Sequence, residues 1–268
     1  MQFTYFPVAY LTDFPHFSHA HLTFQKNFCT LGRCVRIPKT VHLKPLFITT
    51  LLTVFFVGLW LIGKATSTLQ LLRVKTPANQ PALPLGKLIF TSNLKKPKQF
   101  GLICYRPHPA ENARLPANRY TWLTHRLCGL PGDMLEIKAG ILYINGVNAD
   151  ENLNLTHIFK VHRKDSSSIK HDPRQVYTIP PYSDILYMPL EDKYVQSQQL
   201  PCERYLLPPG LREDAIFKMY KRNWNQDNFG PVKVPTGKWF VLGDNRPSSI
   251  DSRHFGFIDQ ATFIGSIL

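Results

Sequence analysis

An uncharged, strongly apolar run, Pro45 to Gly63 (PLFITTLLTVFFVGLWLIG), constrains this chain more than any other feature of its sequence. Its length matches the roughly 20 apolar residues that a helix needs to cross a bilayer core. Lys44 and Lys64 bracket it, and Trp60 sits near one end, where an aromatic anchor is expected. The run starts too far from Met1, and is too long, for the apolar segment of a cleavable signal peptide. No comparable run follows, so a single transmembrane helix is expected over 45–63. Lys26, Arg33, Arg36, Lys39 and Lys44 precede it, while Lys64, Arg73 and Lys75 follow. That bias puts residues 1–44 in the cytoplasm and the C-terminal part on the outer, periplasmic side of the inner (cytoplasmic) membrane. Residues 1–44 mix aromatics, His and Lys with no helical or strand period, and no fold is assigned to them.

The formal charge of +14 admits two classes of partner. With an apolar span present and no nucleic-acid reader module, membrane lipid is expected and nucleic acid is not. Cys29, Cys34, Cys104, Cys128 and Cys202 are odd in number, and the last three are widely spaced. They form neither a disulfide framework nor a zinc pattern, so they read as structural or incidental.

Beyond Val74 the pattern changes to short apolar runs punctuated by Pro, Gly and Asn. Leu88 to Thr91, Leu102 to Tyr105, Met134 to Ile137, Ile141 to Ile144 and Lys238 to Leu242 are strand-like. Asn145-Gly146 after Ile144 is a strong hairpin-turn pair. Between Asn148 and about Tyr220 the composition shifts toward Lys, Ser, Gln, Pro and Asp, with a strand or two expected within Ile179 to Pro189. The organisation expected is a mostly β core over 74–147 and 221–268, with residues 148–220 as an inserted subdomain.

Three segments carry the chemistry. The first is His125-Arg126-Leu127-Cys128-Gly129-Leu130-Pro131-Gly132-Asp133. The second is Asn228-Phe229-Gly230-Pro231-Val232-Lys233-Val234-Pro235. The third runs Gly243-Asp244-Asn245-Arg246-Pro247-Ser248-Ser249-Ile250-Asp251-Ser252-Arg253-His254-Phe255-Gly256. Gly-Leu-Pro-Gly-Asp alone is a tight turn. GDNR, then Ser, then DSR, then Gly strongly resembles the last signature box of the signal peptidase I family (peptidase family S26). The first segment resembles that family's lysine box, KRVxGLPGD, and the second the stretch leading into the last box. The resemblance covers Val74 to Leu268.

It implies a signal-peptidase-like antiparallel β fold on the outer face of a membrane. It also implies a serine-type endopeptidase site that cleaves signal peptides after small residues, with a serine nucleophile, a neutral lysine base and no cofactor or metal. Burial keeps such a lysine neutral. The peptide would lie as an added strand, held by backbone hydrogen bonds.

The departures bear on function. The lysine position is His125, which either takes a proton as general base or donates to a neighbouring loop. The family's nucleophile box, Ser-x-Ser-Met-x-Pro-Thr-Leu, has one counterpart, Thr76-Pro77-Ala78-Asn79-Gln80-Pro81-Ala82-Leu83. Pro81 and Leu83 set the register, and the nucleophilic serine falls on Ala78. A methyl group cannot attack a carbonyl. Thr76 matches the oxyanion position. On a strand it would share a face with residue 78 about 6 to 7 Å away, too far for a base that must come within about 3 Å. Phe100-Gly101-Leu102-Ile103-Cys104-Tyr105-Arg106-Pro107 keeps a strand and its proline but lacks the family's Gly-Asp. Arg126 with Asp244, and Asp251 with Arg253, match pairs that brace the family's site. Ser249 matches the hydroxyl that orients the lysine; it also reads as a turn serine. The resemblance therefore implies a catalytically impaired homologue that binds an exported preprotein or signal peptide, or serves secretion or conjugation machinery. An active atypical signal peptidase using His125, and a non-catalytic membrane scaffold, are the alternatives.

Overall fold

The computed structural model describes residues 22–30, 33–41, 43–66, 68–107, 121–170, 176 and 183–268. The chain divides into two units, residues 1–62 and 63–268.

In the first unit, β1 (Leu22–Thr30) and β2 (Arg33–Val41) form an antiparallel hairpin, with Leu22 opposite Val41 and Thr30 opposite Arg33. The sequence assigns no fold to this stretch, because neither strand alternates cleanly between apolar and polar residues. A 23-residue helix, Leu43–Ala65, then covers the apolar run. Its side chains from Phe47 to Ile62 are exposed apart from Gly58. Among the described residues, no helix is long and apolar enough to cross a membrane. The fold by itself therefore does not establish the expected span.

The second unit is mostly antiparallel β, as the sequence leads one to expect. Its strands are β3 (Gln70–Arg73), β4 (Leu88–Ser92), β5 (Leu102–Tyr105), β6 (Leu123–Gly129), β7 (Met134–Lys138), β8 (Ile141–Ile144) and β9 (Val147–Asn148). Then come β10 (Thr156–His162), β11 (Ile185–Glu191), β12 (Cys202–Arg204), β13 (Phe229–Lys233), β14 (Lys238–Leu242), β15 (Ile258–Asp259) and β16 (Phe263–Ile267). Seven strands pair in the order β15-β14-β6-β5-β16-β4-β3 and four in the order β13-β7-β8-β9.

Two tight turns fold the smaller sheet. Asn145 (φ 52°) and Gly146 (φ 84°) join β8 to β9, and Ala139 (φ 46°) and Gly140 (φ 73°) join β7 to β8. Two successive left-handed residues match the twist of a two-residue hairpin, which is why Asn-Gly is legible there. Period-two alternation buries Leu135, Ile137, Leu142 and Ile144, which pack against Phe229, Phe240 and Leu242. Each such burial stabilises by about 1.5–3 kcal/mol. A second core of Ile103, Leu123, Leu127, Trp239, Val241, Phe255 and Ile258 surrounds β5, β6 and β14.

The compositionally distinct stretch contributes a separate three-stranded sheet, β11-β10-β12, with its own core of Phe159, Val161, Leu186, Met188 and Leu190. Of the stretch from Ile179 to Pro189, residues 183–189 are described and β11 begins at Ile185; residues 177–182 lie outside the described residues. The helix Asp214–Tyr220 instead sends Ile216 into the core of the four-stranded sheet.

Candidate active site

β6 carries His125 in the middle of the large sheet. The register places Ile103 opposite His125 on β5, so Tyr105, two residues along, is its diagonal neighbour. Tyr105 Oη and His125 Nδ1 are hydrogen-bonded at 2.9 Å, and the Tyr105 and Phe255 rings lie 5.9 and 6.3 Å from the imidazole. His125 is 1% exposed. Burial lowers its pKa to about 4 and outweighs the Asp251 carboxylate, which pulls the other way. The imidazole is therefore neutral at pH 7, and its Nε2 is buried without a partner.

Residue 78 lies on a turn, not on a strand. Pro77–Asn79 form a single 3₁₀ turn preceded by Thr76 in extended conformation. Such a helix advances about three residues per turn, so residues 76 and 78 do not share a face. That overturns the strand geometry from which the distance between residues 76 and 78 follows. Thr76 is half-buried and makes no side-chain cap. Ala78 is buried, and its carbonyl accepts from the Asn245 N–H at 2.9 Å. Asn79, fully buried, donates Nδ2 to the Thr124 carbonyl at 2.6 Å and to Thr124 Oγ1 at 3.0 Å.

The loop after β14 closes the other side. A Cβ at Gly243 would collide with the Ser249 side chain and the Ala78 carbonyl, so all three crowd one point. Only glycine allows that approach. Ser249 Oγ is buried and makes no hydrogen bond to the turn around it. Asp251 takes bonds from Arg253 Nε (2.9 Å) and Nη2 (2.8 Å) and from the Gly243 N–H (3.1 Å). Burial would raise the Asp251 pKa, but Arg253 and His254 hold it well below the usual carboxylate range. Arg126 grips Asp244 in a two-pronged pair, Nε to Oδ1 at 2.6 Å and Nη2 to Oδ2 at 2.5 Å. It also donates to the Phe100 carbonyl in the segment that lacks Gly-Asp.

The structure thus brings Ala78, His125, Ser249, Arg126, Asp244, Asp251 and Arg253 into one neighbourhood, with Thr76 at the entrance to the turn. Several of its members escaped the sequence reading. Tyr105 and Phe255 pack His125, and only strand register across β5 and β6 could have found Tyr105. Arg246 pairs with Asp150 at 2.6 Å, a contact between residues 96 apart with no local signal. Among the described residues, no group of His, Cys, Asp and Glu is arranged to hold a metal ion.

A family profile described as signal peptidase, peptidase S26, matches residues 47–268. Signal peptidase I of Bacillus caldolyticus is 26% identical over 198 residues, covering 72% of this chain and 74% of its own length. A probable signal peptidase I-2 of Synechocystis is 22% identical over 208 residues, covering 76% of this chain and 63% of its own length. Identity reaches 58% over 40 residues of signal peptidase I of Bacillus licheniformis, 15% of this chain and 22% of that protein. A crystal structure of a signal peptidase I from Enterococcus faecalis is 26% identical and covers 65% of this chain and 98% of its own, at a TM-score of 0.32.

Proposed function

This chain belongs to the signal peptidase family, peptidase S26, and from that premise we propose that it is a non-cleaving, membrane-anchored homologue. In this reading the whole apolar run over 45–63, and not only the described side chains of the helix from residue 47 on, anchors the chain in the inner membrane once, with the C-terminal part on the outer side. There it holds an exported preprotein or signal peptide for secretion or conjugation machinery. The apolar side chains exposed all round the helix, Phe47, Leu51, Val54, Phe55 and Phe56 among them, support lipid as its surroundings.

The observation that carries the proposal is Ala78. Acyl transfer by a serine peptidase needs a hydroxyl whose proton passes to a base as its oxygen attacks the peptide carbonyl. Residue 78 presents a methyl group, buried at the turn beside the Gly243–Ser249 loop. Around it the supporting parts persist: a neutral imidazole at His125 and the two carboxylate–arginine pairs that rigidify the loops. A site with its bracing intact and its nucleophile absent retains a shape for a peptide without the means to cut it.

The test is incubation of the purified full chain, in detergent or liposomes, with a model preprotein beside a Thr76→Ala, His125→Ala double variant. Bound, uncleaved preprotein is the expected outcome. A product whose N-terminus follows a small residue, absent with the double variant, would establish instead an enzyme with a rebuilt site. Failure to bind preprotein at all would remove the peptide-holding role.

A further inference from the structure

One edge of β6 is capped by a side chain. β14 pairs with β6 from Gly129 to Arg126 and goes no further, while β5 runs along the opposite side from Leu123 to Arg126. Leu127 exchanges hydrogen bonds with Phe100 and Gly101 on the β5 side. Backbone groups alternate sides along a strand, so those of Thr124 point away from β5, toward the edge that β14 leaves uncovered. That edge lies beside His125, and the Ala78 turn is packed on it. Asn79 reaches across with its amide and takes the Thr124 carbonyl.

An extended peptide joining a sheet is held by free edge carbonyls and N–H groups of this kind. We propose that Asn79 is a strand surrogate, an autoinhibitory contact that occupies the β6 edge and withholds it from an incoming peptide until the side chain turns out. The inference rests on the reading of this site as one that receives an extended peptide. The surrogate is poised to leave: Asn79 Oδ1 is buried with no partner, so the closed state carries an uncompensated desolvation. Its Nδ2 serves both acceptors of Thr124 at once, the backbone carbonyl and Oγ1, so one side-chain rotation releases both of them.

The experiment measures binding of a short fluorescein-labelled peptide containing Ala-Gln-Ala to the full chain in detergent micelles, by anisotropy. Asn79→Ala is expected to bind about tenfold tighter than the native chain. That gain should vanish when the peptide's amides are N-methylated, because a strand held by its backbone needs those donors. Equal, measurable affinity of the native chain and of folded Asn79→Ala overturns the surrogate while leaving the peptide-receiving site standing. A gain that survives N-methylation overturns it too. No binding by either protein instead sinks the peptide-receiving reading on which it rests. Should Asn79→Ala fail to fold, the native chain decides by NMR. The Asn79 side-chain amide signals should shift and exchange faster with solvent at saturating peptide, and unchanged signals overturn the proposal.

Discussion

The carbonyl of Ala78 accepts a hydrogen bond from the backbone N–H of Asn245 at 2.9 Å, tying the turn after β3 to the loop after β14. Residue 78 is therefore placed by its backbone, and a new side chain there inherits that placement. Ala78→Ser is expected to confer slow cleavage of a model preprotein after a small residue, read from the product's N-terminus. A positioned base contributes about 10²–10⁴-fold, so adding His125→Ala should lower the rate by that order. Because the His125 pKa lies at about 4, the rate should be flat through neutral pH and fall as pH drops toward that value and the imidazole takes a proton. No cleavage at any pH would mean that the base and residue 78 are not aligned.

His125 and His157 both have pKa values lowered to about 4 by burial, in His157 despite its bond to Asp192. In the unfolded chain each titrates near about 6.5, so the unfolded state binds protons first. The stability this gives is complete above about pH 6.5 and is lost as pH falls toward about 4, at ~3 kcal/mol per histidine. Melting temperatures between pH 7 and 4.5 should fall steeply for the native chain. The slope should be shallower for His125→Gln and for His157→Gln, and shallower again for both together.

Asp244 is 1% exposed and Arg126 14%. Removing one partner strands the other charge in the interior, so Asp244→Ala should destabilise by about 3–5 kcal/mol. Denaturant unfolding of Asp244→Ala, Arg126→Ala and the double variant should give a double-variant loss well below the summed single losses. Additive losses would show that the two charges do not depend on one another.

Gly243→Ala should destabilise by about 1–3 kcal/mol or more, because its new methyl meets backbone as well as side chain. Ser249→Ala should rescue it poorly, since the Ser249 Cβ and the Ala78 carbonyl remain in the way. Recovery of the native melting temperature in Gly243→Ala, Ser249→Ala would place the crowding at the Ser249 hydroxyl alone.

Much of the β core was legible because its cause is local. Alternation in Met134–Lys138 and Ile141–Ile144 fixes which face is buried, and Asn145-Gly146 sets the turn by its left-handed dihedrals. The motif segments around His125 and Gly243 were legible as well, and they do converge on one site. The 3₁₀ turn at Pro77–Asn79 was not, since so short a helix is set by what packs over it rather than by propensity. Nor were the pairings of His125 with Tyr105, Asn79 with Thr124 and Arg246 with Asp150, which join strands and loops far apart in the chain.

What the sequence determined by itself is covalent: residue 78 has no oxygen and residue 125 has an imidazole, and no packing can change either. What only the tertiary structure decided is environment. Whether His125 is charged depends on how much water its neighbours exclude, and those neighbours, Tyr105 and Phe255, come from other elements. Whether the edge of β6 is open depends on Asn79, brought there by a turn whose position long-range hydrogen bonds set. Desolvation and edge pairing are sums over atoms distant in sequence, so they exist only once the chain has folded.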